Sequence, residues 1–144
     1  MAQATGRCLC GEVQFTVTDI EAAHHACHCA MCRRWGSGPM FAARVAAIEI
    51  TAGTEHVRRY RSSDWADRAF CAQCGTHLYY YLRPGDSYYL SVGTFDDATP
   101  FRLVGEIYVD AQPPGYAFAG DLQRLTEADV IGELGGEPPG EGAG

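Results

Sequence analysis

With 144 residues, 47% of them hydrophobic and 20% charged, the chain has globular composition and enough length to bury a core without crosslinks. Its net charge of −7 opposes nonspecific binding to nucleic acid, and no apolar run approaches the ~18 residues of a membrane helix. The 11 basic residues are all arginine, which excludes a lysine Schiff base, and the opening MAQATGRCLC lacks the apolar core of a secretion signal. These features predict a soluble, cytoplasmic protein with no membrane or nucleic-acid partner.

Period-two alternation dominates the chain. Val13, Phe15 and Val17 alternate with polar neighbours and predict a strand; Ile48 with Ile50, and Val57 to Tyr60, are weaker candidates. Leu78, Tyr80 and Leu82 repeat the spacing, as do Tyr88, Leu90 and Val92, and Ile107 with Val109. Turns fall at Gly53, at RPGD (83–86) and at FDDATP (95–100). Many short strands separated by turns predict a mostly β fold, a small β-sandwich or open barrel. Helix is scarce: one or two turns from Ala30 to Trp35, closed by Gly36, and a short helix capped by Thr126. In the latter, Asp129 is the third helical residue and Leu125 can pack on Val130 across the cap. The boundaries predicted are a single metal-binding domain over 1–134 and a disordered Gly/Pro/Glu tail over 135–144.

The 7 cysteines fall as Cys8-x-Cys10, Cys27-x-Cys29-x2-Cys32 and Cys71-x2-Cys74. An odd number cannot pair completely, and in a reducing compartment such a pattern reads as metal-binding or catalytic. Gly11 and Gly75 each follow a pair, where a metal knuckle tends to need a left-handed residue. CLCG and CAQCG therefore look like two halves of one closed tetrahedral zinc site. Cys27, Cys29 and Cys32 remain as three thiolates able to wrap a second zinc and leave a fourth position open, the construction of catalytic sites. The spacing from Cys10 to Cys27 or Cys29 also suits an ordinary ribbon joining the first two groups, with Cys71 and Cys74 as a separate dithiol; spacing alone leaves both partitions open. Two bound zincs would bring the net charge to about −10 if free thiols count as neutral.

Four ordered segments, GRCLCGEVQF (6–15), CHCAMCRRWGS (27–37), FCAQCGTHLYY (70–80) and GTFDD (93–97), resemble the glutathione-dependent formaldehyde-activating enzyme family, which also includes centromere protein V. The resemblance spans roughly residues 6 to 110. It implies a fold related to methionine sulfoxide reductase B, a structural zinc on Cys8, Cys10, Cys71 and Cys74, and a catalytic zinc on Cys27, Cys29 and Cys32. The implied activity is a carbon–sulfur lyase or synthase reaction in which glutathione adds to formaldehyde. Because glutathione carries two carboxylates, Arg33 and Arg34 are candidate clamps for the thiol substrate. The chain departs from the family pattern at Glu106, where a histidine is common, and at QPPGY (112–116), where a PW-like segment is usual. Both departures bear on substrate identity and neither touches a metal ligand.

Other functional classes compete with the enzyme: a noncatalytic zinc module that binds a protein partner, or a thiol switch in which Cys29 and Cys32 close a disulfide. His28 alternates with the cysteines beside it and is expected to support the site or lie at the surface. His24 and His25 are either exposed or able to exchange protons with a bound thiol adduct. His77 is expected to support the second knuckle, and Trp35, Phe41 and Tyr79 to Tyr81 to serve as core and strand surface.

Overall fold

The computed structural model describes residues 1–133, so the predicted tail over 135–144 lies outside the described residues. Among the described residues ten strands and two short helices run in the order β1 (Gln3–Arg7), β2 (Gln14–Ile20), β3 (Ala23–Cys27), α1 (Ala30–Gly36), β4 (Met40–Ala52), β5 (Val57–Arg61), β6 (Ala66–Cys71), β7 (His77–Leu82), β8 (Ser87–Ser91), β9 (Arg102–Ile107), β10 (Gln123–Leu125) and α2 (Glu127–Glu133). The fold is mostly β with open sheet edges, as the alternating pattern predicts. No described helix is long and apolar enough to cross a membrane.

The chain divides into two compact units. The first, residues 1–23 and 42–102, carries antiparallel strands in the path β1-β2-β4-β8-β7-β6-β5. Alternation works here as expected: Val13, Phe15 and Val17 turn inward and meet Val45, Leu78 and Leu90 in one apolar core. Phe95 closes that core, edge-on to Phe15 with ring centroids 6.0 Å apart and stacked on Phe101 at 4.4 Å. The GTFDD segment is thus structural, since Asp96 also accepts a 2.7 Å hydrogen bond from the Thr5 hydroxyl.

The second unit, residues 24–41 and 103 onward, holds β3, α1, β9, β10 and α2. β10 pairs in parallel with β9, setting Arg124 opposite Glu106. At α2 the Thr126 hydroxyl accepts from the Asp129 N–H at 3.2 Å, and the Asp129 carboxylate accepts from the Thr126 N–H at 2.9 Å. That reciprocal pair is the capping arrangement read from the sequence.

Several elements differ from expectation. Val92 and Val109 sit in 3-10 turns just past β8 and β9; Val92 still packs on the apolar core, because an alternating apolar residue also serves a turn that folds back onto it. The Ile48/Ile50 strand is the end of a 13-residue β4. β1, β3 and β6 were not predicted; β1 is mostly exposed and polar, and its strand character comes from pairing with β2. Helix α1 ends one residue later than expected: Gly36 is helical and Ser37 takes the left-handed position at φ 70°, its N–H bonded to the Arg33 carbonyl at 2.7 Å.

Candidate metal centres

Two sets of cysteine sulfurs converge, Cys8, Cys10, Cys71 and Cys74 in the first unit and Cys27, Cys29 and Cys32 in the second. Within each set every ligand atom lies within 4.8 Å of the others. A tetrahedron of metal–sulfur bonds near ~2.3 Å has edges near ~3.8 Å. The separations of 3.5 Å from Cys8 Sγ to Cys10 Sγ and 3.9 Å from Cys10 Sγ to Cys71 Sγ match that edge. Each all-sulfur set can hold one metal ion, and donors of this kind select soft or borderline ions.

Two matching turns build the first set. The Gly11 N–H bonds the Cys8 carbonyl at 3.1 Å and the Gly75 N–H bonds the Cys71 carbonyl at 2.8 Å, with the glycines at φ 81° and 79°. The left-handed residue anticipated after each pair is therefore present, and a glycine adopts it without steric cost. The Leu9 N–H reaches the Thr76 hydroxyl at 3.0 Å and so ties one turn to the other. The thiols are unequal acids. Hydrogen bonds from the Thr76 hydroxyl and N–H pull Cys74 down to about 5. At Cys10 the pull of the Glu12 N–H is outweighed by desolvation and by its thiol neighbours, which push it up to about 12. Four crowded thiols cannot all ionise alone, and a cation among them replaces the protons they would otherwise share.

The second set spans a strand end and a helix start. Cys27 closes β3, Cys29 caps α1 with its sulfur accepting the Cys32 N–H at 3.4 Å, and Cys32 lies on the first turn. Cys29 and Cys32 are buried with Tyr108, and Met31, Met40, Ile107 and Val130 pack around them. Hydrogen bonding to Cys29 and Cys32, followed by burial, raises the Cys27 pKa well above its ordinary value. Among the described residues no fourth His, Cys, Asp or Glu joins this set.

His28 turns away from the sulfurs and is fully buried, its Nε2 2.7 Å from Glu106 Oε1 and its Nδ1 2.8 Å from the Tyr116 hydroxyl. Glu106 in turn takes Arg124 Nε on its other oxygen at 2.9 Å. Sequence reasoning marked Glu106 and QPPGY as unusual but did not connect them to His28; an acid inside the apolar strand LVGEI was the available signal. Arg124 and Phe118 gave none. Both candidate clamps lie in the last turn of α1, Arg33 half-buried and Arg34 exposed, and neither side chain forms an ion pair among the described residues. Arg33 lies close enough to Tyr116 for its charge to act on that phenol. The exposed reading of His24 is corrected: β3 turns it inward against Phe41, ring centroids 6.4 Å apart. His25 is half-buried beside Gly105, and burial together with Arg68 lowers the pKa of His77.

The chain is 30% identical over 132 residues to an uncharacterised lyase of Schizosaccharomyces pombe, covering 91% of this chain and 96% of the relative. A crystal structure of a Rhodobacter sphaeroides protein shares the fold with a TM-score of 0.56 at 21% identity, over 85% of this chain and 99% of that one. A family model described as glutathione-dependent formaldehyde-activating enzyme matches residues 3–111, a span that contains both cysteine sets. The chain therefore belongs to the glutathione-dependent formaldehyde-activating enzyme family.

Proposed function

We propose that the protein is a zinc-dependent carbon–sulfur lyase that joins a small thiol to a small aldehyde and reverses the addition. Glutathione and formaldehyde, giving S-hydroxymethylglutathione, are the substrates the family name suggests. The lyase name of the fission-yeast relative supports the reaction class. The observation that carries the reading is the inequality of the two sulfur sets: four ligands close a tetrahedron, whereas three leave a position for a ligand from outside.

In this reading Cys8, Cys10, Cys71 and Cys74 hold a structural ion, and Cys27, Cys29 and Cys32 hold the working one. Zinc, when bound there, supplies Lewis acidity that lowers the pKa of a thiol or polarises a carbonyl oxygen. In the reaction the thiol sulfur bonds to the aldehyde carbon, the carbonyl π bond opens, and the thiol proton ends on the new hydroxyl oxygen. Met31, Met40 and Ile107 limit water around the sulfurs, which strengthens every charge interaction there. Arg33 and Arg34 take the substrate carboxylates, a task suited to a planar guanidinium.

The deciding experiment combines metal content with turnover. Protein purified under reducing conditions should carry close to two zincs per chain and exchange labelled formaldehyde with glutathione. Cys29→Ser should remain folded with close to one zinc and lose that exchange. Full exchange by Cys29→Ser would sink the assignment.

A further inference from the structure

Among the described residues Asp19, Ser37, Asp86 and Tyr108 take positive φ without being glycine. The first three carry short polar side chains. Tyr108 is the aromatic exception, at φ 56° and ψ 43°, a region where a bulky side chain is a true outlier. Strand geometry shows what this conformation achieves. Along β9 successive side chains face opposite sides: Glu106 meets His28, whereas Ile107 packs with the three-sulfur set. A strand continued through residue 108 would return its side chain to the Glu106 side. The left-handed residue ends the strand instead and opens a 3-10 turn, in which the Ala111 N–H bonds the Tyr108 carbonyl at 3.0 Å. Tyr108 thereby joins Cys29 and Cys32 in one buried cluster, on the same side as its neighbour Ile107. The Ile107 carbonyl takes the His28 N–H at 3.0 Å, so the cysteine segment runs directly beside this turn.

An unfavourable backbone conformation thus brings a large ring to the sulfurs, and strain of this kind concentrates at functional sites. Cys29, Cys32 and Tyr108 are 3%, 5% and 7% exposed, so little space is left around them, and Met31 and Met40 pack against the same cluster. A carbonyl compound that reacts at the three-sulfur set must share this space with the ring. We propose that Tyr108 is a specificity-determining residue whose ring restricts the carbonyl partner to the smallest aldehydes, by filling the space beside the sulfurs that a longer alkyl chain would need. The limit is set by the size of the ring and not by its hydroxyl. This inference rests on the lyase reading and refines its substrate class.

The test pairs glutathione with formaldehyde and with propionaldehyde, and divides each kcat/KM by the uncatalysed rate constant to remove intrinsic reactivity. Wild-type protein should favour formaldehyde by about tenfold or more, the effect of methylenes that do not fit a filled pocket. Tyr108→Gly, which removes the ring and suits the left-handed backbone, should reduce that preference about tenfold, and Tyr108→Phe should keep it. Wild-type protein without the preference, Tyr108→Gly that retains it, or Tyr108→Phe that loses it would each overturn the assignment and leave the lyase reading standing. A second measurement reads the space without turnover and needs no variant. In cobalt-loaded wild-type protein the visible absorption should shift with ethanethiol and not with tert-butyl thiol. A response to both, or to neither, would overturn the steric limit. Wild-type protein that turns over neither aldehyde would remove the lyase reading and this inference with it.

Discussion

The two cysteine sets use the same element for opposite ends. In the first unit the sulfurs come from two turns of one design, each with a left-handed glycine and each braced by backbone hydrogen bonds. The four-sulfur set there adjoins the large apolar core, with Cys8 and Cys71 counted among its buried members. In the second unit the three sulfurs share one short segment, and their apolar surroundings are small. That unit also buries the polar chain of His28, Glu106 and Arg124. Four sulfurs on a deep core and three beside a polar network are what the proposed division into a structural and a working site rests on.

The largest expected effect separates the two sets directly. Cys71 is completely buried at the end of β6, and Cys71→Ser removes both a core side chain and one of the four converging sulfurs. Structural zinc contributes on the order of 10 kcal/mol in small zinc peptides, comparable to the whole net stability of a typical domain. Cys71→Ser should therefore lose the cooperative unfolding transition of the first unit, followed by circular dichroism on heating. A normal transition in that variant would mean that the four-sulfur set is not what holds the unit together.

A smaller effect is expected from the polar network. Glu106→Ala leaves the His28 Nε2–H buried without an acceptor, at a cost of about 2 kcal/mol, while Arg124, nearly half exposed, returns to water. Amide exchange should accelerate in β9 and β3 and stay unchanged in β6 and β7. Acceleration throughout would show that the network stabilises more than its own unit.

These contrasts explain what was legible in the sequence. The sulfur groups were, because ligand spacing and a following glycine are local constraints that the chain must write in adjacent residues. The strands bearing Phe15, Leu78 and Leu90 were also legible, since each presents one face to an apolar core. β6 was hidden, its alternation blurred by small alanines and by Arg68, which is buried over the Tyr80 ring. The Glu106 network was hidden for a different reason: His28 lies 78 residues from its partner, and nothing near either residue records the other. Local chemistry is written in motifs, whereas a hydrogen bond across the fold is written only in the topology.

The smallest effects test the backbone that frames each set. Gly75 stands at φ 79° with no atom within 4 Å of where a Cβ would go, so an alanine there would clash with nothing. Its only cost is the left-handed conformation, about 1 kcal/mol for a residue with a Cβ. Ser37, which ends α1 at φ 70°, is the mirror case: the position favours glycine and does not have one. Gly75→Ala should lower stability by about 1 kcal/mol and Ser37→Gly should raise it by somewhat less, since a freer glycine in the unfolded chain offsets part of the relief. Denaturant midpoints at constant m-value measure both. Opposite signs would mean that the first unit already carries the residue its turn demands, while the helix beside the three-sulfur set keeps a strained one. Equal signs would mean that the two left-handed positions are not equivalent and that Ser37 contributes through its side chain.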